Sequence, residues 1–317
     1  MAKIIGPGSL NVDVTGYAPH LPVNGETTLG TALRFSPGGK GNNQITAAGR
    51  AGSDALIIGA RGDDFLGKIL QSHYEAEGLS QQFIAICPGH ETGAAIIEID
   101  QSTAQNRIIV IQGANLCVDA ECVRAAESAF AGCDAVLTQF ETTLDAVFES
   151  KRLAQKYGKP FVLNPAPFVP APKDLYDGID FITPNETEAE YLTGIPVNTD
   201  ADCRAAAKVL LGMGVKNVII TMGARGCYFC NANTELFVES IPVKAVETTG
   251  AGDAFNGALA TAVAEGAENL DALRFATCTA ALSVTKKGSA ESMPRREEIL
   301  ALFEKTYGQT YCPKGKN

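Results

Sequence analysis

No stretch of this 317-residue chain is apolar and uncharged for long enough to cross a bilayer. The N-terminal "MAKIIGPGSLNVD" carries one Lys and too short an apolar run for a signal peptide, so a cytoplasmic protein is the expectation. Positive charge is scarce as well. Its 26 Lys and Arg against 36 Asp and Glu leave a formal net charge of -10, without the dense positive field that nucleic acid or an anionic membrane requires. An anionic ligand would have to be held by backbone dipoles and a few placed cations. Histidine is sparse: His20, His73 and His90 lie in dissimilar contexts, make no metal site or triad, and read as solvated loop or helix surface. The nine cysteines follow no framework, which points to reduced thiols. The one close pair, Cys227 and Cys230 in "GCYFCN", sits in a strand-like run with no second pair or nearby His, so core thiols are expected rather than a metal or redox site. Also missing are a Walker A spacing, a G-x-G-x-x-G after the first strand, any internal repeat and any linker rich in Pro, Gly or Ser. The second of these absences argues against a Rossmann dehydrogenase.

What is present is a chain with 45% hydrophobic and 20% charged residues, long enough for a large buried core. Short β-rich apolar runs alternate with helix-period segments. Strands are expected at Lys3–Ile5, Ala55–Ile58, Ala94–Ile99, Ile108–Ile111, Ala135–Leu137, Phe161–Leu163, Phe181–Ile182 and Val218–Thr221. Helices are expected at Lys40–Ala51, Asp64–Glu77, Asp119–Phe130, Leu144–Tyr157, Glu186–Leu192, Ala201–Met213, Asp253–Ala264, Leu270–Thr285 and Arg295–Glu304. That rhythm implies α/β architecture around a mostly parallel sheet, with ligands beyond the carboxyl ends of the strands. Residues 12–36 and 82–111 break the alternation and suggest a small antiparallel sheet acting as a lid on one domain spanning 1–317. Pro7 should weaken pairing where it interrupts the first strand.

Four segments carry candidate chemistry. In "GGKGNNQITAAGRAG", Gly38 to Gly52, paired glycines allow close backbone approach and Lys40, Asn42, Asn43 and Gln44 bring polar groups to a helix start; a capped helix with a solvated face fits too. In "GSLNVD", Asn11 and Asp13 point the same way if extended and suit a polyol, although an Asx-type turn also accounts for them. In "ITPNETEAEYLTG", Asn185 and Glu188 make a good helix cap, and the same amide and carboxylate could serve a Mg²⁺-bound phosphate. In "VETTGAGDAFNGALA", the N–H groups of Gly250, Ala251, Gly252 and Asp253 would form an anion hole. Asp253 either caps the helix or acts as general base for a hydroxyl attacking phosphorus.

Together with "ARGDDFLG", "NPAP" (Asn164–Pro167) and "TMGARG" (Thr221–Gly226), these segments occur in one order along the chain. The chain thereby resembles the PfkB-type carbohydrate kinases, and among them the ribokinases. The resemblance covers essentially the whole length. It implies a ribokinase-like three-layer sandwich, a mostly parallel central sheet flanked by helices, with a small β-sheet lid that pairs two subunits in a homodimer. It implies phosphoryl transfer from ATP to the 5-hydroxyl of D-ribose, with another sugar or a nucleoside as the alternative acceptor and a non-catalytic sugar-binding dimer as a more remote one. By the same resemblance the sugar is bound by Asn11, Asp13, Gly39, Lys40, Asn43 and Glu141. Asp253 is the base, and Gly250, Ala251 and Gly252 form the anion hole. ATP meets Asn185, Thr221, Gly223, Ala224, Arg225, Gly226, Gly252 and Thr277, with Asn185 and Glu188 arranging Mg²⁺. A potassium ion is implied near Glu247, Thr249, Ser283, Lys286, Gly288 and Ser292. The chain departs from the family's usual residues at Glu247, where Asp is common, at Asn42, where Ala is common, and at Thr277, where a larger nitrogen-bearing side chain is frequent.

Overall fold

The computed structural model describes residues 1–103 and 105–313. Lys3–Pro7 (β1) leads into Asn11–Ala18 (β2) and Ala32–Gly38 (β3), then helix Lys40–Arg50 (α1) and strand Asp54–Arg61 (β4). Helix Phe65–Glu77 (α2) is followed by Ile84–Ile86 (β5), Gly93–Asp100 (β6) and Asn106–Ile111 (β7). Two short helices, Ala120–Ala125 (α3) and Glu127–Gly132 (α4), precede Ala135–Thr138 (β8), Leu144–Lys156 (α5), Phe161–Leu163 (β9) and Phe181–Ile182 (β10). Helices Glu186–Thr193 (α6) and Asp200–Gly212 (α7) come before strands Asn217–Thr221 (β11), Cys227–Asn231 (β12) and Glu235–Val238 (β13). Ala251–Ala264 (α8), Asn269–Ser283 (α9) and Arg296–Tyr307 (α10) complete the fold.

Nine strands form one sheet in the order β13-β12-β11-β10-β9-β8-β1-β4-β5. Pairing is parallel from β11 to β5, and β12 and β13 add an antiparallel edge. Side-chain alternation sorts each strand between two cores. Ile5, Val136, Phe161, Leu163, Val218 and Ile220 pack with α3 to α7. Ile4, Leu137, Val162 and Ile219 pack with α1, α2 and α8 to α10. Both faces of the sheet are thus covered, which is why its inner strands read as unbroken apolar runs. This is the expected three-layer sandwich.

The second sheet has the order β3-β2-β6-β7. Its outer pairings are antiparallel, and its central pairing, β2 with β6, is parallel over Asn11↔Gly93 to Ala18↔Asp100. The strand Ile84–Ile86 falls within the range expected for the lid, yet it extends the main sheet beside β4. The helix expected over Asp119–Phe130 divides in two at Ala126. Pro7 does weaken one ladder: the β8 side stops at Ile5↔Val136, while the β4 side continues to Pro7↔Ile58. The Thr138 hydroxyl donates to the Pro7 carbonyl on the interrupted side at 3.1 Å.

Cys227 and Cys230 lie on β12 and, three residues apart on a strand, face opposite ways: Cys227 enters one core and Cys230 borders the other. His20 and His90 are exposed, but His73 is buried against the Thr46 hydroxyl at 3.0 Å, which corrects the surface reading. Burial lowers its pKa to about 4. Among the described residues no helix is long and apolar enough to cross a membrane.

Candidate active site

The N-terminus of α8 sets the centre of the site. Gly250 adopts φ +81°, a left-handed conformation that any other residue would hold under strain, and it turns the chain into the helix. The Ala251 N–H is taken by the Thr248 carbonyl at 3.2 Å and the Ala254 N–H by the Gly250 carbonyl at 2.8 Å. The first-turn N–H groups of Gly252 and Asp253 remain for a ligand, at the positive end of the helix dipole. The cradle is therefore narrower than four successive amides. Gly250, Ala251, Gly252 and Asp253 line a polar cleft of about 120 Å³ together with Lys40, Asn164, Ala166, Thr183, Asn185, Glu188, Thr221, Thr248 and Asn256.

Asp253 is buried, and both carboxylate oxygens are held. Asn43 Nδ2 donates to Oδ2 at 2.9 Å and Gln44 Nε2 to Oδ1 at 3.0 Å. These two donors come from α1, so the "GGKGNNQ" segment reaches the C-terminal motif directly. Lys40, at the start of α1, is half-buried. Burial opposes its charge, but the carboxylates of Asp253, Glu141 and Glu188 outweigh that and raise its pKa.

Asn11 and Asp13 lie two residues apart on β2, both buried. The Asn11 Oδ1 accepts from Asn115 Nδ2 at 2.7 Å, so its own NH₂ is free to donate. Asp13 is an acceptor beside it. Burial pushes the Asp13 carboxyl up to about 6; the Ser289 hydroxyl, donating at 3.2 Å, opposes this, and the charges of Glu141, Asp253 and Glu247 add to it. Gly38 leaves room for this carboxylate, since a Cβ there would lie 2.3 Å from Asp13 Oδ1. Gly39 N-caps α1, and Glu141 Oε2 accepts the Lys40 N–H at 2.9 Å and the Ser9 hydroxyl at 2.5 Å.

On the other side of the cleft, Asn185 and Glu188 form a reciprocal capping box at 2.8 and 2.9 Å. Asn185 Nδ2 and Glu188 Oε1 take no part in the box. Burial raises the Glu188 pKa, against the Asn185 amide and Lys40, which lower it, and with Asp253, which adds to the rise. Of the "TMGARG" turn, Thr221 lines the cleft. Gly223, Ala224 and Arg225 form an exposed 3₁₀ turn, and Gly226 closes it. Arg225 is engaged away from the cleft, with Glu186 at 3.1 Å and the Asn198 carbonyl at 3.2 Å. Thr277 is buried in α9, where its hydroxyl pairs with the Cys227 thiol.

The loops around residues 247 and 288 face one another. The Glu247 Oε2 accepts the Gly288 N–H at 3.0 Å, and the Val284 carbonyl accepts the N–H groups of Val246 and Glu247 at 2.7 and 3.2 Å. Ser292 Oγ donates to the Ser289 carbonyl at 2.8 Å, and Ser283 Oγ to the Ala280 carbonyl at 2.8 Å. The Lys286 ammonium pairs with Glu298 at 2.8 Å, and Thr249 is exposed. Carbonyl and carboxylate oxygens of this kind suit a hard cation. The extra methylene of Glu247 carries its carboxylate to the Gly288 amide, so one of its oxygens is already engaged.

The sequence left several of the residues found here without a role. Asn115, Asn164, Thr183, Asn256 and Ser289 reach the site only through tertiary placement, and Gln44 is locally no more than a polar group at a helix start.

A cleft with a carboxylate seated beside a glycine-turn amide cradle is what a phosphotransferase acting on a hydroxyl requires. Residues 1–296 match the model of the pfkB family carbohydrate kinases. The chain belongs to that family. It is 38% identical over 297 residues to a ribokinase of Haemophilus influenzae, covering 94% of this chain and 97% of that protein. It is also 35% identical over 293 residues to a deoxyribokinase of Salmonella typhimurium, covering 92% and 95%. Among solved structures, Arabidopsis thaliana ribokinase complexed with ribose and ATP superposes with a TM-score of 0.89 at 31% identity, covering 96% of this chain and 99% of that one. Ribokinase from Thermotoga maritima gives 0.86 at 33% identity, covering 96% and 100%.

Proposed function

We propose that the protein transfers the γ-phosphoryl group of ATP to the 5-hydroxyl of D-ribose. The observation that carries this reading is Asp253, buried at the cradle with both carboxylate oxygens oriented by α1 donors. In this reading Asn11 donates to one sugar hydroxyl and Asp13 accepts from its neighbour, with Gly39, Lys40, Asn43 and Glu141 completing the pocket. Asp253 takes the proton of the attacking hydroxyl as the new O–P bond forms. The Gly252 and Asp253 N–H groups and the Lys40 ammonium hold the charge that builds on the phosphoryl oxygens. ADP leaves with the electrons of the broken P–O bond. Asn185, Thr221 and the turn through Gly226 would hold the nucleotide, and Thr277 supports that wall from inside α9.

Glu188 fits a Mg²⁺ ion through its free carboxylate oxygen, directly or through water, and the free Asn185 NH₂ would arrange the site by donating to a metal-bound phosphate oxygen. Bound there, the ion would neutralise nucleotide phosphate charge. The oxygens around Glu247 and Ser283 to Ser292 fit a potassium ion, which would steady the backbone next to the cradle. The four-stranded sheet is read as a lid that belongs to the one kinase domain and pairs two subunits. The cytoplasm, where ATP and phosphorylated sugars are held, is the compartment this chemistry requires.

The relative named as a deoxyribokinase makes 2-deoxyribose the second acceptor to consider. The Asn11–Asp13 pair favours ribose, because a donor and an acceptor side by side match adjacent hydroxyls and one would be left unpaired by a 2-deoxy sugar. An ADP-release assay over ribose, 2-deoxyribose, other pentoses, hexoses and nucleosides, in potassium and then in sodium, tests the reading. Ribose should give the highest kcat/KM, and potassium the higher rate. Preference for another acceptor, or absence of ADP release with every one, refutes it.

A further inference from the structure

Three strands of the main sheet end on the same kind of residue. Gln139 follows β8, Asn164 follows β9 and Thr183 follows β10, each at the first position past its strand. Gln139 Nε2 donates to Gln44 Oε1 at 2.8 Å, and Gln44 Nε2 donates both to Asp253 Oδ1 and to Asn164 Oδ1, at 3.0 Å each. Asn164 Nδ2 donates to the Thr183 carbonyl at 3.1 Å, and the Thr183 hydroxyl donates to Asn256 Oδ1 at 2.6 Å. Asn256 Nδ2 then donates to the Gly252 carbonyl at 2.8 Å, one covalent step from Asp253. The path is a closed ring from the carboxylate of Asp253 back to the peptide that carries it. None of its side chains, nor Gln139, is more than 6% exposed.

The directions in this ring are fixed. A carbonyl or a carboxylate can only accept, so Gly252 O sets the Asn256 amide, Thr183 O sets the Asn164 amide and Asp253 sets the Gln44 amide. One more constraint makes the ring relevant to chemistry. The Gly252 carbonyl and the Asp253 N–H belong to one planar peptide, so pinning the first aims the second. A carboxylate oxygen and a cradle amide are therefore oriented by one set of buried bonds.

We infer that Thr183 and Gln139 are positioning residues for catalysis, which through this ring hold the Asp253 carboxylate and the Asp253 N–H in register with each other. The inference rests on the reading of Asp253 as the base. It assigns the carboxyl edge of β8 to β10 a task beyond lining the cleft and separate from holding the sugar, because the sugar residues Asn11 and Asp13 stand on another sheet. Loss of one rung leaves Asn256 or Gln44 free to turn, and a small misplacement of reacting groups costs rate more than affinity.

The test compares wild type, Thr183→Val, Thr183→Ser and Gln139→Leu at saturating ATP, each first shown by its melting curve to be folded at the assay temperature. For Thr183→Val, kcat should fall about tenfold while the sugar KM stays within about twofold, since Val keeps the shape and loses the donor. Thr183→Ser, which keeps the hydroxyl, should recover kcat to within about threefold of wild type. A purely structural role would lower the melting temperature and leave kcat per folded enzyme unchanged. A kcat for Thr183→Val within about twofold of wild type overturns the inference, as does a Ser variant no faster than the Val variant. If Thr183→Val does not fold, Gln139→Leu decides, because Gln139 anchors Gln44 from outside the cleft: a kcat loss of about fivefold with unchanged sugar KM supports the ring, and unchanged kcat overturns it. A wild-type enzyme inactive on every sugar would sink the functional reading and the ring together, whereas an active wild type with unaffected variants sinks the ring alone.

Discussion

Replacing Asp13 by Asn removes a buried carboxylate whose charge the fold resists. Its pKa stands at about 6 instead of 3.8, because burial strips the ionised form of water and the Ser289 hydroxyl compensates only in part. A displacement of roughly two pH units corresponds to at most about 3 kcal/mol that the charged form costs the folded state. An acid whose folded pKa lies above its unfolded value binds the extra proton in the folded state. Stability therefore falls as pH rises from 3.8 through 6, and the full cost is present above that window. His73 acts with the opposite sign, since its pKa is lowered to about 4 and stability is lost as pH drops from 6.5. That contribution is common to both proteins and cancels in their difference. In calorimetry without ligand, Asp13→Asn should melt up to about 5 °C above wild type at pH 8, and the advantage should vanish near pH 4. The same variant should lose roughly 10- to 100-fold in sugar KM at pH 8, because a charged acceptor has gone. A melting difference that is equal at pH 4.5 and pH 8, or a wild type that is the more stable at pH 8, would refute the reasoning.

Asp253→Asn should lower kcat by about two to four orders of magnitude with little change in sugar affinity, read as a kcat against KM split; unchanged turnover would remove Asp253 as the base. The four-stranded sheet exposes Leu33, Phe35 and Ile96 together with Ile108, Ile109, Val110 and Ile111 on its edge strand β7, apolar side chains that a partner could cover. The wild type should therefore sediment as a dimer, and Ile109→Lys should shift it toward monomer; a monomeric wild type would refute the lid pairing.

The main sheet was legible because its inner strands are covered on both faces and alternate with amphipathic helices. The glycine-rich segments were legible because few other sequences tolerate φ +81° at Gly250 or leave Asp13 room at Gly38. What escaped the sequence was partnership over distance. Asn115 lies 104 residues from the Asn11 it orients, and Asn256 lies 73 from Thr183. Each is an ordinary amide in its local setting, so no period or spacing marks it. The parallel pairing of β2 with β6 was equally hidden, since alternation fixes which face a side chain takes and says nothing of strand direction. The narrower amide cradle follows from Thr248, whose carbonyl claims the Ala251 N–H by a local turn that the glycine pattern alone does not specify.

The strand β2 begins with Asn11 and Asp13 and ends at Ala18, paired with β6 along its whole length and with β3 as far as Tyr17. It is one continuous strand with Asn11 and Asp13 at one end and the exposed apolar sheet at the other. On the proposed reading, substitutions that change how the exposed sheet packs are expected to change the sugar KM as well.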